Sequence, residues 1–134
     1  MDGLHLTADL HGCRCEAAWL TDAARLVAWC RQAVREAGLQ PVADLAHTFP
    51  AGADGSAGGI TATILLAESH LCLHTWPELG GVTADVYVCN FGADHSANAR
   101  ALMDAVLRHF QPQAVDQRRL QRGSAPLPVL PEPA

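Results

Sequence analysis

Apolar and polar residues alternate from the start of the chain. In "LHLTADL", Leu4, Leu6, Ala8 and Leu10 fall on one side with period two, which predicts a half-buried strand. The period then changes: Leu26, Val27, Cys30, Ala33, Val34 and Ala37 recur at helical spacing, with Thr21 as the expected N-cap, Asp22 in the first turn and Gly38 as the stop. "LQPVADLAHTF" predicts a second strand, with Pro41 near its start, where a missing N–H does least harm. "PAGADGSAGG", residues 50–59, is small, polar and glycine-rich and predicts a loop. Three more strands follow in "ITATILLA", "LCLHT" and "VTADVYVC". Ser96 is the expected cap of a second helix whose apolar stripe is Ala99, Leu102, Met103, Val106, Leu107 and Phe110, ending before Pro112. "QAVDQRR" predicts an edge strand, and "APLPVLPEPA", with four prolines in ten residues, an extended or disordered tail.

Four consecutive strands between two helices imply antiparallel pairing, and hence an α+β two-layer sandwich with both helices on one face of the sheet. The other face is left for a partner, so a dimer is expected.

Composition narrows the function. The 134 residues suit one domain, and 49% hydrophobic with 17% charged residues is a globular balance. A net charge of -5 gives no electrostatic footprint for nucleic acid. No apolar run reaches membrane-spanning length and "MDGLHLTADLHG" lacks the regions of a secretory signal, so a cytoplasmic location is expected. Five scattered cysteines (Cys13, Cys15, Cys30, Cys72, Cys89) argue against a secreted disulfide framework. No metal is expected: Cys13 and Cys15 are too close for the usual zinc spacing, and His70 and His74 stand about 13 Å apart if the segment is a strand. Cys30 and Cys72 read as small buried hydrophobes. Trp76 reads as a plug at the core edge, Trp19 and Trp29 as part of the first helix and its approach, and His5, His11, His47, His95 and His109 as structural. All nine basic residues are arginine. Without a lysine, chemistry that needs an imine to a side-chain amine, as pyridoxal phosphate enzymes do, is excluded within this chain.

The candidate chemistry lies in "AESHLCLHTWPE", residues 67–78, where Glu68, Ser69 and His70 form a turn between apolar runs and His74 follows. Ser69 has no flanking glycines, so the hydrolase nucleophile elbow is missing. A serine in a strained turn can instead attack its own preceding peptide bond, given an oxyanion stabiliser and a base. The ester so formed can eliminate and leave an N-terminal pyruvoyl group, a carbonyl able to form an imine with a substrate amine. That is an electron sink open to a lysine-free chain.

"ESH", then "HTWPE" starting five residues after the serine, then a cysteine twenty residues after it, resemble the bacterial S-adenosylmethionine decarboxylases, the short pyruvoyl enzymes of polyamine and spermidine synthesis. The resemblance runs from about Gly3 to about Arg122 and is densest from Thr61 to Gly92. It implies a domain over 1–122 and a Pro-rich tail over 123–134, with self-cleavage giving a β chain 1–68 and an α chain 69–134. By the same resemblance, Ser69 becomes the pyruvoyl group and Schiff-base carrier, with Glu68 the new C-terminus and a substrate contact. His74 and Thr61 assist processing, and Cys89 serves processing and then donates a proton. Glu78 binds the ribose hydroxyls and Phe49 stacks on the adenine. The implied cofactor is the self-generated pyruvoyl group, and the implied assembly is a homodimer of αβ units with sites at the interface.

The chain departs from the family pattern in Leu79-Gly80-Gly81, where Tyr-Gly-Tyr is usual, in Val88-Cys89-Asn90, where Thr-Cys-Gly is usual, and in a longer loop at 50–59. These changes surround the substrate pocket. A pyruvoyl-dependent ornithine or arginine decarboxylase therefore stays open as an alternative, as does a non-catalytic regulatory relative.

Overall fold

The computed structural model describes residues 2–123 and 131–133. Most of the expected Pro-rich tail lies outside the described residues. Six strands and two helices follow in chain order: β1 (Gly3–His11), α1 (Ala23–Glu36), β2 (Pro41–Thr48), β3 (Ile60–Leu66), β4 (Ser69–Trp76), β5 (Gly81–Cys89), α2 (Ser96–Phe110) and β6 (Ala114–Arg122). The strands form one sheet in the order β2-β3-β4-β5-β1-β6, with every neighbouring pair antiparallel. "QAVDQRR" lies in an edge strand from Ala114 onward, Gln113 falling just outside it, and Pro41 opens the strand at the other edge, where its missing N–H costs no ladder bond in the sheet interior. Among the described residues no helix is long and apolar enough to cross a membrane.

The alternation seen in the sequence separates the two sheet faces. Leu4, Ala8 and Leu10 of β1, Ile60, Ala62 and Ile64 of β3, Leu71 and Leu73 of β4 and Val82, Ala84, Val86 and Val88 of β5 are buried together with the apolar stripes of both helices. α1 lies over β2 and β3, and α2 over β5 and β1. Thr75 is the buried polar exception: its hydroxyl donates to the Leu20 carbonyl (2.7 Å) and accepts from the Ile60 N–H (2.8 Å), satisfying both backbone groups.

The helix ends correct two expectations. Asp22, not Thr21, caps α1; its backbone is extended and its carboxylate accepts the Arg25 N–H at 3.1 Å. Thr21 instead closes the short 3-10 turn of Ala17–Leu20. At α2 the cap position is His95, and Ser96 is already helical, its N–H held by the Asp94 carboxylate at 2.9 Å. The stop at Gly38 holds: its φ is 85°, and the Leu39 N–H reaches back to the Val34 carbonyl at 3.0 Å, closing a Schellman motif.

The open face carries polar side chains in register across the strands. One row runs His47, Thr61, His74, Thr83, Asp9; the next Leu45, Thr63, Cys72, Asp85, Thr7; and the next Ala43, Leu65, His70, Tyr87, His5. Cys72 therefore belongs to this face and not to the core; it is half-buried and within 3.3 Å of the Thr63 hydroxyl. Burial, partly offset by that hydrogen bond, pushes its thiol above the usual value. Trp76 is also on this face, 39% exposed, at the edge of a cleft rather than plugging the core.

Candidate active site

At one end of β4 the chain turns in only two residues, Ala67 and Glu68, because Leu66 and Ser69 already pair across the hairpin. Ser69 is thus the first residue of β4, not part of a longer turn. Glu68 takes a left-handed conformation, with φ 55°. A residue with a Cβ is strained there by roughly 1–2 kcal/mol, and the strain sits next to the Glu68–Ser69 peptide bond. Across the neighbouring β4–β5 pair, the Cys89 N–H donates to Ser69 Oγ at 3.0 Å, so the hydroxyl is held beside the last residue of β5. Asn90 fixes the chain just beyond Cys89. Its N–H bonds the Asp2 carbonyl at 2.7 Å, and its side-chain oxygen accepts the His95 N–H at 2.8 Å.

At the other end of β4 a cleft of about 650 Å³ opens between the loop after β2 and the strand ends. Phe49, Thr61, His74, Trp76 and Glu78 line it. Thr61 Oγ1 and His74 Nδ1 are 3.0 Å apart, so hydroxyl and imidazole already share a hydrogen bond. The wall is built on close backbone approach: a Cβ at Gly58 would collide with the Phe49 carbonyl, and one at Gly59 with the Thr75 carbonyl. Phe49 is 50% exposed, leaving a ring face free, and Glu78 sits in the short 3-10 turn of Pro77–Leu79 after β4.

The structure therefore groups the sequence-derived residues into two sets. Ser69, Glu68 and Cys89 form one, and Phe49, Thr61, His74 and Glu78 the other. Ser69 and His74 are five residues apart on one strand, about 16 Å at roughly 3.3 Å per residue. The odd offset also turns them to opposite faces: Ser69 has the parity of buried Leu71 and Leu73, and His74 that of Cys72 and Trp76 on the open face. Within one chain the imidazole does not reach the hydroxyl.

A third grouping was not foreseen. His5 does not stand alone: His70 Nε2 lies 2.9 Å from one Asp85 carboxylate oxygen and His5 Nε2 3.5 Å from the other. Tyr87 joins both rings edge-on or tilted, with centroids at 5.8 Å. Burial raises the Asp85 carboxyl, but the His70 hydrogen bond and the nearby charges of His70 and His5 outweigh it, holding the group below its ordinary value. Nothing in the linear spacing of residues 5, 70 and 85 announces this cluster; it arises from β1, β5 and β4 lying side by side. His109, in contrast, is structural as expected, stacked on Trp29 at 3.9 Å and edge-on to Trp19 at 4.2 Å.

The fold is a two-layer α+β scaffold, with both helices on one face of an antiparallel sheet and a row of polar side chains on the other. The profile of the S-adenosylmethionine decarboxylase family matches residues 4–123. The S-adenosylmethionine decarboxylase proenzyme of Picrophilus torridus is 37% identical over 123 residues, 91% of this chain and 85% of that protein. The proenzyme of Persephonella marina is 35% identical over 127 residues, 93% of this chain and 85% of that one. The crystal structure of the adenosylmethionine decarboxylase from Aquifex aeolicus superposes with a TM-score of 0.76 at 30% identity, covering 98% of this chain and 95% of that one. The chain belongs to the S-adenosylmethionine decarboxylase family.

Proposed function

We propose that this chain is a self-processing decarboxylase of S-adenosylmethionine, supplying the decarboxylated product to polyamine synthesis. It is made as a single domain over 1–122 plus its tail and cut between Glu68 and Ser69. The junction itself carries this reading: a left-handed Glu68 precedes a serine whose Oγ is held by the Cys89 N–H.

Ser69 Oγ attacks the Glu68 carbonyl carbon and gives up its proton. The C–N bond breaks and the freed nitrogen takes a proton, leaving an ester. Loss of the Ser69 α-proton expels the Glu68 carboxylate. The resulting dehydroalanine tautomerises and takes up water, releasing ammonia and leaving a pyruvoyl end on residue 69. A turn strained by roughly 1–2 kcal/mol lowers this barrier, because cleavage releases Glu68 from its left-handed geometry. The pyruvoyl group, once formed, offers a carbonyl electrophile and electron sink for a substrate amine.

The two-set geometry implies how the rest is assembled. Two copies laid open face to open face about a two-fold axis bring the strand ends that carry Cys89 and the Glu68–Ser69 junction of one near the Thr61–His74 cleft of the other. Ser69, as the first residue of β4, is reached around the strand end rather than across the face. The His74 imidazole, oriented by Thr61, then moves protons for cleavage, and the Cys89 thiol holds the proton destined for the substrate carbon. In the same cleft Glu78 accepts from the two ribose hydroxyls, Phe49 offers its free face to the adenine, and Glu68 flanks the substrate from the cut end. A carboxylate built to bond two hydroxyls rejects ligands lacking them by several kcal/mol. The ornithine and arginine readings are not favoured, since the relatives that match over most of their length carry the S-adenosylmethionine name.

Intact-mass measurement is the test. Fragments of 68 and 134 − 68 = 66 residues are expected, the second with a mass lower than an N-terminal serine gives, and Ser69→Ala should stay whole. An active wild-type chain that is never cut overturns the mechanism. Carbon dioxide release from ornithine or arginine, with none from S-adenosylmethionine, overturns the substrate alone.

A further inference from the structure

We propose that His5, His70 and Asp85 form a transition-metal site on the open face, separate from the cleft that holds His74 and Glu78. One ligand atom from each lies within 4.8 Å of the others. The three come from β1, β4 and β5, adjacent strands in the sheet interior, so the backbone fixes their spacing before any ion arrives. His5 Nε2 is fully buried and has no hydrogen-bond partner. An Asp85 carboxylate oxygen lies 3.5 Å from it, the outer limit of a hydrogen bond.

Donors about 2.0–2.1 Å from a tetrahedral ion stand roughly 3.3 Å from one another. Here His70 Nε2 lies 2.9 Å from one Asp85 oxygen and His5 Nε2 3.5 Å from the other, so small side-chain rotations bring one atom of each to an ion. A bound ion would give the buried His5 nitrogen a partner and take a carboxylate oxygen of Asp85 as a further donor. Two imidazoles and one carboxylate select zinc, cobalt or nickel over magnesium or calcium. Three protein ligands leave a fourth position for water or an added donor. Occupancy would also clamp His70, the residue after Ser69, to the two neighbouring strands.

The test is titration of full-length Ser69→Ala, and of wild type alongside it, with cobalt(II) read by visible absorption and with zinc(II) against a chromophoric chelator. Using a chain that keeps Ser69 from reacting separates this result from the fate of the self-cleavage reading. One ion per chain is expected, with N/O-type cobalt bands and no thiolate charge-transfer absorption. Asp85→Asn and His5→Gln should each weaken binding at least about tenfold while circular dichroism stays unchanged. A variant that loses its fold is replaced by His70→Gln. Zinc should also raise the melting temperature of the intact site. No binding at tens of micromolar metal overturns the proposal, as does binding that survives all three substitutions or shows thiolate bands from Cys13 and Cys15.

Discussion

The two faces of the sheet are built from the same strands, yet they obey different rules. On the covered face Leu71, Leu73, Val86 and Val88 are essentially inaccessible, and their identity matters as volume and apolarity. On the open face Cys72, His74, Asp85 and Tyr87, each next in sequence to one of those residues, are half-buried or exposed and present polar groups. Neighbouring positions thus separate the core from the face proposed to carry the chemistry, because successive side chains of a strand point to opposite sides.

The largest expected effect breaks function without touching the core. His74→Ala should lower the cleavage rate at least about 100-fold, the lower end of what a positioned acid–base contributes, with an unchanged urea midpoint. The shared-site geometry sharpens this further. Co-expressed Ser69→Ala and His74→Ala chains should regain about a quarter of wild-type activity, since half of randomly paired dimers contain one intact site of two. No recovery in a verified mixed dimer would place the site within one chain.

Next in size is the contrast between adjacent residues. Leu73→Ala should cost about 2–5 kcal/mol of unfolding free energy as a core cavity, whereas Cys72→Ala should cost less than about 1 kcal/mol. Equal losses in urea titration would mean that the open face is packed like the core.

A smaller effect concerns the strained turn. In the Ser69→Ala background, Glu68→Gly should stabilise the uncut chain by about 0.5–1 kcal/mol, because glycine adopts positive φ without a Cβ clash. In the chain that keeps Ser69, the same change should slow cleavage, measured by gel or mass over time.

The smallest effect belongs to the covered side. Burial, helped by the charge of Arg25, holds His109 below its ordinary value of 6.5. The unfolded chain therefore takes up this proton first as pH falls, so the contribution is intact above pH 6.5 and lost as pH drops through 6.5 toward the lowered folded value. His109→Phe should flatten the stability–pH curve in that window; an unchanged slope would show that His109 is not a source of it.

The strands and helices were legible in the sequence because period two and period 3.6 are written in residue order, and the stripes of Leu26 to Val34 and Ala99 to Phe110 are the ones buried. The motif proposed to carry the reaction was readable for a different reason. Glu68, Ser69, His74, Glu78 and Cys89 lie within one short stretch, whose motif survives without knowledge of contacts. The helix caps fall one residue away from the positions the sequence suggests, at Asp22 beside Thr21 and at His95 beside Ser96, because only backbone geometry decides which residue is the first outside the helix.

What only the tertiary structure decided is which of these residues meet. A strand rises about 3.3 Å per residue, so close positions in sequence, Ser69 and His74, end far apart, while antiparallel neighbours stand only about 4.5–5.5 Å apart however distant in sequence. The pairing of β1, β5 and β4 brings His5 to Asp85 and His70, and the pairing of β3 with β4 brings Thr61 to His74. Register is set by burying one face of every strand at once, a condition on the whole sheet that no single stretch of residues contains.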